Sequence, residues 1–164
     1  MNAPQAVVAL PALGEPFAGG IFAGRFFVDA VAYALVIAPK DEGEFPATIW
    51  NKSYDKVAGA LSVYDGPLNT DAMAEAGSAL AKKIGKLDIG GFKDWYLPSR
   101  GELLLAYAAN LKGAEAFERG WYWSSTQHAD DAAWAWYQHF NYGYQIYDGK
   151  SSKLRARAVR RVPI

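Results

Sequence analysis

"GGFKDWYLPSRGELLLAY", residues 90–107, is the stretch whose reading decides the fold. Gly90 and Gly91 admit backbone angles that residues with a Cβ avoid, so the chain is expected to turn there. Trp95 and Leu97 follow at strand spacing, on one face of an extended segment, and are expected to bury against a sheet. Pro98 ends that segment. Ser99 with Glu102 three residues later is a capping box, in which each side chain satisfies a free backbone N–H at the start of a helix. Leu103, Leu104 and Tyr107 supply that helix with a stripe to bury. Asp94 could ligate a metal, but an Asp in a turn more commonly bonds nearby backbone, and the latter reading is preferred. The stretch therefore reads as turn, strand and capped helix, with scaffold roles throughout.

The same rules extend outward. "NTDAMAEAGSALAKKIGK", residues 69–86, predicts a second main helix, capped by Asn69 or Thr70, with Lys82 and Lys83 in its last turn and Gly85 as its stop. Ala72, Met73, Ala76, Leu80 and Ile84 recur at helical spacing along it. Upstream, Ile21 to Val28 and Ala32 to Ala38 read as strands joined at Asp29-Ala30, and "ATIW" (47–50) as a third. Residues 113–120 suggest a short third helix. Downstream, "WYWSST", "AWAWYQHF", "YQIYDG" and "RARAVRRV" read as strands. Helices confined to the middle of a strand-bounded chain predict an α+β fold.

Composition narrows the function classes. At 164 residues the chain fits one domain. Residues 1–20, rich in Pro, Ala and Gly, read as an arm or linker, and residues 21–164 as the folded domain. Acidic and basic residues balance at 17 each, so the basic excess that supplies affinity for phosphate is missing and nucleic acid is not an expected partner. The absence of cysteine removes thiolate nucleophiles, thiolate metal ligands and disulfides. No apolar run reaches membrane-spanning length, and no positively charged start precedes an apolar core as a secretory signal requires. Neither membrane insertion nor a cofactor is expected.

With these motifs in view, a resemblance can be stated. Gly-Gly-Phe-x-Asp-Trp-x-Leu-Pro-Ser-x-x-Glu-Leu (residues 90–103), then "YWSST" (122–126), "AWYQHFNYGYQ" (135–145) and "RARAVRRV" (155–162), resembles the Lcl C-terminal-type domain family of bacteria and phages. The "GGIF" and "YALVIAPKDEG" segments and "DGPLNT" (65–70) resemble its entry strands, so the likeness runs from about residue 19 to 162. It implies a C-type-lectin-like fold: small twisted antiparallel sheets flanked by two main helices, with the N- and C-terminal strands pairing. It also implies a ligand-binding module of phage particles or bacterial surfaces, similar to the variable receptor-binding proteins of diversity-generating retroelements. The cysteines of the related formylglycine-generating enzymes and the calcium-site motifs of sugar-binding C-type lectins are both absent, so neither chemistry carries over.

The aromatic segment 121–149 then divides. In "WYWSST" no base is placed to activate a serine, so the hydroxyls are expected to bond loop backbone. Alternation along "AAWAWYQHF" sets Trp134, Trp136, Gln138 and Phe140 on one face and Ala135, Tyr137 and His139 on the other. Residues 121–126 and Trp134 read as core, and the resemblance implies that Trp136 and Phe140 point inward. The expected ligand-binding set is therefore Tyr137, His139, Asn141, Tyr142, Tyr144, Gln145, Tyr147 and Asp148, a mixture of rigid aromatic area and adaptable hydrogen bonding suited to recognition. The arginines of "RARAVRRV" are expected in salt bridges, on a closing strand paired with the first.

The expected function is a non-enzymatic binding module on a virion or a bacterial surface. It would be a homo-oligomer contacting other virion or surface subunits and a host cell-surface protein or glycan. One alternative is a structural virion subunit whose aromatic face is an oligomer contact. A further one is a metal-dependent enzyme using His128 and His139 with a nearby Asp.

Overall fold

The computed structural model describes residues 8–164. Strands β1 (Pro16–Phe17), β2 (Gly20–Val28) and β3 (Val31–Ile37) form a meander, with Asp29 and Ala30 both at positive φ in the tight turn between β2 and β3. A one-turn helix α1 (Lys40–Gly43) leads into β4 (Glu44–Thr48), which starts before the expected "ATIW". Helices α2 (Gly66–Glu75), α3 (Ala79–Ile84) and α4 (Arg100–Ala109) follow, then a 3-10 turn at Gly113–Glu115. Five strands complete the chain: β5 (Trp121–Gln127), β6 (Trp134–His139), β7 (Gln145–Gly149), β8 (Leu154–Arg157) and β9 (Val159–Pro163).

The strands make two sheets, ordered β1-β2-β3-β9 and β4-β8-β5-β6-β7. Every pairing is antiparallel except the short parallel contact of β5 with β8. The architecture is α+β, as the element order predicts. "RARAVRRV" is not one strand but two, divided at the fully buried Ala158, and each half joins a different sheet. Ala158 bonds forward and back, accepting from Ala38 N and donating to Gly43 O. Its last strand pairs with β3, register Ile37 with Val159, and not with the first strand. The reason is that β2 is already flanked by β1 and β3, so β9 takes the free edge of β3. Of the segment read as an arm, residues 1–7 lie outside the described residues; β1 pairs with β2, and Gly14 N donates to Phe22 O.

The single helix expected over 69–85 is two. Gly77, at φ 91°, breaks it, and Ser78 caps the second piece by accepting from Ala81 N. The first piece begins earlier, because Asp65 accepts from Leu68 N as the cap. That frees Asn69 for a different task. Fully buried inside α2, it accepts from Ser62 N (2.9 Å) and donates to Ser62 O (2.8 Å) and Ser125 Oγ (3.3 Å). Thr126 Oγ1 also donates to Ser62 O and accepts from Arg100 N, so one polar cluster ties the 62 loop, β5 and α4 together. Of the "SST" hydroxyls, Thr126 makes the expected loop-backbone bond, while Ser125 meets the Asn69 side chain and Ser124 donates to Trp136 O in β6.

Around it lie two apolar clusters. One gathers Met73, Leu80, Ile84, Trp95, Leu97, Trp50 and Trp123 beneath α2 and α3; the other packs Ala106 and Leu111 against Ile21, Leu35, Ile37 and Tyr96. Trp50 and Trp123 donate to Ser124 O and Thr48 O respectively, so two buried indoles cross-link β5 to the end of β4. Leu104, expected in the buried stripe of α4, is exposed; Ala106 takes the inward position beside Leu103.

The capping box at Ser99 is present in both directions. Its Glu102 is buried, accepting from Ser99 N (2.8 Å) and from Tyr96 Oη (2.5 Å). Burial outweighs these bonds and raises the Glu102 carboxyl to about 7, while burial and the adjacent carboxylate push Tyr96 well above its ordinary value.

Two outcomes test this core. Asn69→Ala strands the Ser62 backbone groups and is expected to cost about 2 kcal/mol in urea denaturation. Glu102 keeps its proton in the folded chain over the range where the unfolded chain, with an ordinary carboxyl near ~4.3, has lost it. Its contribution is therefore complete below about pH 4.3 and lost as the pH rises through about 7. Urea midpoints measured across that window should fall for the native chain and flatten in Glu102→Gln.

Candidate functional site

The strands β5, β6 and β7 carry aromatic residues on both faces, and pairing register decides which side chains meet. Trp121 pairs with His139 and Trp123 with Tyr137; across the other edge, Tyr137 pairs with Ile146 and Ala135 with Asp148. These residues share one face. At its inner end Trp123 and Ala135 are fully buried, and Tyr137 packs edge-on to Trp123. At its outer end Trp121 (47% exposed), Tyr142 (74%), Tyr144 (44%) and Ile146 (42%) face solvent.

His139 is the floor of that outer end. It is buried, with Trp121 edge-on at 5.4 Å and Tyr142 and Tyr144 each at 4.9 Å between ring centres. The rings of Tyr142 and Tyr144 are nearly parallel, 6.5 Å apart. His139 Nδ1 accepts from Asn141 N (3.1 Å) and Tyr142 N (3.2 Å), so the imidazole folds the turn over itself. The main chain closes it: His139 N donates to Tyr144 O, and Gly143 N to His139 O. Gly143 sits at φ 79° with a Cβ position only 2.6 Å from Tyr107 Oη, so only glycine fits the turn against α4. The Tyr137 hydroxyl, between Tyr144 and Asp148, is raised to about 12, first by burial and then by those neighbours.

The opposite face is a different surface. Trp136 pairs with Tyr147 and Gln138 with Gln145. The Arg100 guanidinium lies 3.5 Å from the Trp136 ring centre and donates to Gln145 Oε1, whose amide returns a bond to Arg100 O. His128 stacks on Trp136 and meets Tyr147 edge-on, while its Nδ1 accepts from Asp130 N and Asp131 N. Trp134 lies against Tyr147 and is 39% exposed.

The structure thus brings Tyr137, His139, Tyr142, Tyr144 and Asp148 together, with Asn141 exposed in the same turn. Gln145 and Tyr147 fall on the other face, where Gln145 holds Arg100. The inward and outward faces expected for β6 need correction. Tyr137 packs against the larger apolar cluster and His139 is buried, whereas Trp121 and Trp134, expected in the core, are exposed. Phe140 does point inward, stacked on Phe117 at 4.0 Å, whereas Trp136 is half-buried and covered by Arg100 and His128 instead of by either apolar cluster. Trp121 and Ile146, outside the expected set, also belong to the outer patch. Trp121 had a usable signal, since alternation places it on the Trp123 face at the very start of a strand, where the core ends. Ile146 had none without the β6–β7 register.

The charged groups are occupied structurally. Asp94, read as a turn residue bonding backbone, instead receives a two-pronged bond from Arg160 (2.7 and 2.9 Å), which holds its carboxyl below the ordinary range. Arg157 pairs with Glu115 and Arg161 with Asp65, as expected for arginines of the closing strands. His128 and His139 lie on opposite faces of β6, and among the described residues no three His, Asp or Glu side chains gather as metal ligands would. Among those residues, too, no helix is long and apolar enough to cross a membrane.

Comparison with known proteins agrees with the motifs. The Lcl C-terminal domain model matches residues 46–160, well over half of the chain, and the chain belongs to that family. No curated protein matches it.

His139→Ala removes the acceptor of two backbone N–H groups. It is expected to cost about 1–2 kcal/mol and to accelerate hydrogen exchange at the Asn141 and Tyr142 amides more than at the β5 amides.

Proposed function

We propose that this member of the Lcl C-terminal domain family is a non-enzymatic binding module with a C-type-lectin-like fold, displayed on a phage virion or a bacterial surface, that recognises a host cell-surface protein or glycan. The observation that carries the reading is the outer patch of β5–β7. Trp121, Tyr142, Tyr144 and Ile146 are exposed together around a buried histidine. Large apolar side chains held in solvent by a braced turn lack a packing role within the chain, and a clustered apolar surface marks an interaction site. Tyrosine and tryptophan give large contact area with few torsions to freeze, and Asn141 and Asp148 add hydrogen-bonding capacity at the edge. Tyr107 and His139 hold the turn in one shape before any partner arrives, which lowers the ordering cost of binding. Display as a homo-oligomer would multiply weak contacts through avidity.

A second reading has support in the same patch: Trp121 and Ile146, on its two sides, make it apolar enough for a subunit contact within a virion. One experiment separates the two. Tyr142→Ala and Tyr144→Ala change exposed side chains and should leave the melting temperature within a few degrees. On the receptor reading, each lowers binding of purified protein to host cells by roughly tenfold or more, the loss typical of an aromatic hot spot, at unchanged molecular mass in solution. Dissociation of an oligomer with cell binding intact would assign the patch to subunit contact instead.

A further inference from the structure

A second concave feature shares no residue with the aromatic patch. α2, α3, the segment 93–96 and the outer edge of β9 enclose a cleft of about 590 Å³. Its floor is apolar and close-set: Trp95 and Tyr96 are buried, and Ala74 and Ala81 bring the helices near. Its cations are Lys82, Lys86, Lys93 and Arg161, against the carboxylates of Asp71 and Asp94. Asp94 is already neutralised by Arg160. Lys93 has only an exposed contact with Asp88 at 3.6 Å, while Lys82 and Lys86 make no ion pair among the described residues. In a chain of zero net charge this is a local positive field.

One wall of the cleft is an open strand edge. In an antiparallel ladder successive residues direct their N–H and C=O groups to alternate sides. Ala158 and Ile164 bond towards β3, to Ala38 and Ala32, so the even-numbered residues of β9 face that way. Val159 faces the other way and exchanges both main-chain bonds with Tyr96. Arg161, next in that outward series, therefore presents its N–H and C=O to the cleft. Beyond Val159 no described strand pairs with that edge, because the 93–96 segment turns off at Asp94 to take the Arg160 side chain. The Arg161 side chain is bonded to Asp65 and lies 4.6 Å over the Tyr33 ring, and outside the β3 pairing the Arg161 main chain has no hydrogen-bond partner among the described residues.

We propose that this cleft binds an extended acidic peptide segment of a partner protein, added as a short strand on the outer edge of β9 at Arg161. Main-chain bonds to Arg161 supply the docking register, alternate apolar side chains of the peptide rest on Trp95 and Tyr96, and its carboxylates meet Lys82, Lys86 and Lys93. Pro163, which has no N–H, limits the pairing to the stretch beside Arg161 and sets the register. The free edge selects a peptide over a small anion, and the lysines select acidic over basic sequences.

The test uses a capped hexapeptide alternating valine and glutamate, titrated at low salt into nitrogen-15-labelled protein. Saturable shifts at residues 82–86, 93–96 and 161, with slowed hydrogen exchange at the Arg161 amide, are expected. Lys82→Glu combined with Lys86→Glu alters only exposed side chains; with folding verified by melting, binding should weaken on the order of tenfold as like charges face each other. A matched valine–lysine peptide should not bind. Absence of saturable shifts, equal binding of the lysine peptide, or indifference to the double charge reversal overturns the proposal. So do the same shifts produced by polyphosphate at comparable concentration with no protection of Arg161, which would reveal general anion attraction.

Discussion

Tyr96 and Val159 exchange two main-chain hydrogen bonds, 2.8 and 2.9 Å long, and the remainder of the architecture hangs on that contact. It fastens the Asp94-to-Glu102 segment to the point where the closing strand passes from one sheet to the other. On either side of it, Asp94 receives Arg160 and Tyr96 donates to Glu102, so the capped start of α4 and the start of β9 are held by one continuous set of bonds. Ala158 completes the joint by bonding to Ala38 and Gly43. A side chain larger than a methyl at that fully buried position would have to displace packed atoms. The four-stranded and the five-stranded sheet are thereby joined at one point of the chain.

Long loops between short strands leave many backbone groups in need of partners, and this chain answers with buried polar side chains. Asn69 serves the 62 loop. Lys150, with no exposed surface, donates to Asp55 O and Gln127 Oε1 above the Trp50 ring, and burial lowers its ammonium to about 8. Arg157 donates to Ala38 O and Glu115 O while pairing with the Glu115 carboxylate. Each of these groups is costly to desolvate, and each is tolerated because it makes several hydrogen bonds at once, at least one of them to the main chain. They set the loop conformations that surround the sheet, including the 3-10 turn through Glu115 that positions Phe117 against Phe140.

The aromatic segment expresses a division of labour across one sheet. On the side of α4, aromatic rings stack with Arg100 and His128 and brace the sheet against the helix. On the other side the inner rings are core and the outer rings are surface, with His139 at the boundary. The same residue types therefore do opposite things within a few residues. What separates them is how far the underlying apolar cluster extends: it covers Trp123 and Ala135 and stops before Trp121 and Ile146.

The sequence by itself determined the α+β class, the β2–β3 hairpin, the capping box at Ser99, the structural use of the "SST" hydroxyls and family membership. All of these rest on residues close together in the chain: turn angles, caps and alternation act over a few positions and survive any tertiary arrangement. Tertiary structure alone decided that α2 begins before Asn69, because Asn69 is needed inside the fold and not as a cap. It also decided that the closing strand splits between sheets, and that the face carrying Gln145 and Tyr147 meets Arg100 and Trp136. Alternation states which side chains share a face, but not which face meets the core; that depends on register between strands and on where the packed interior ends, and both are set by contacts between residues far apart in sequence.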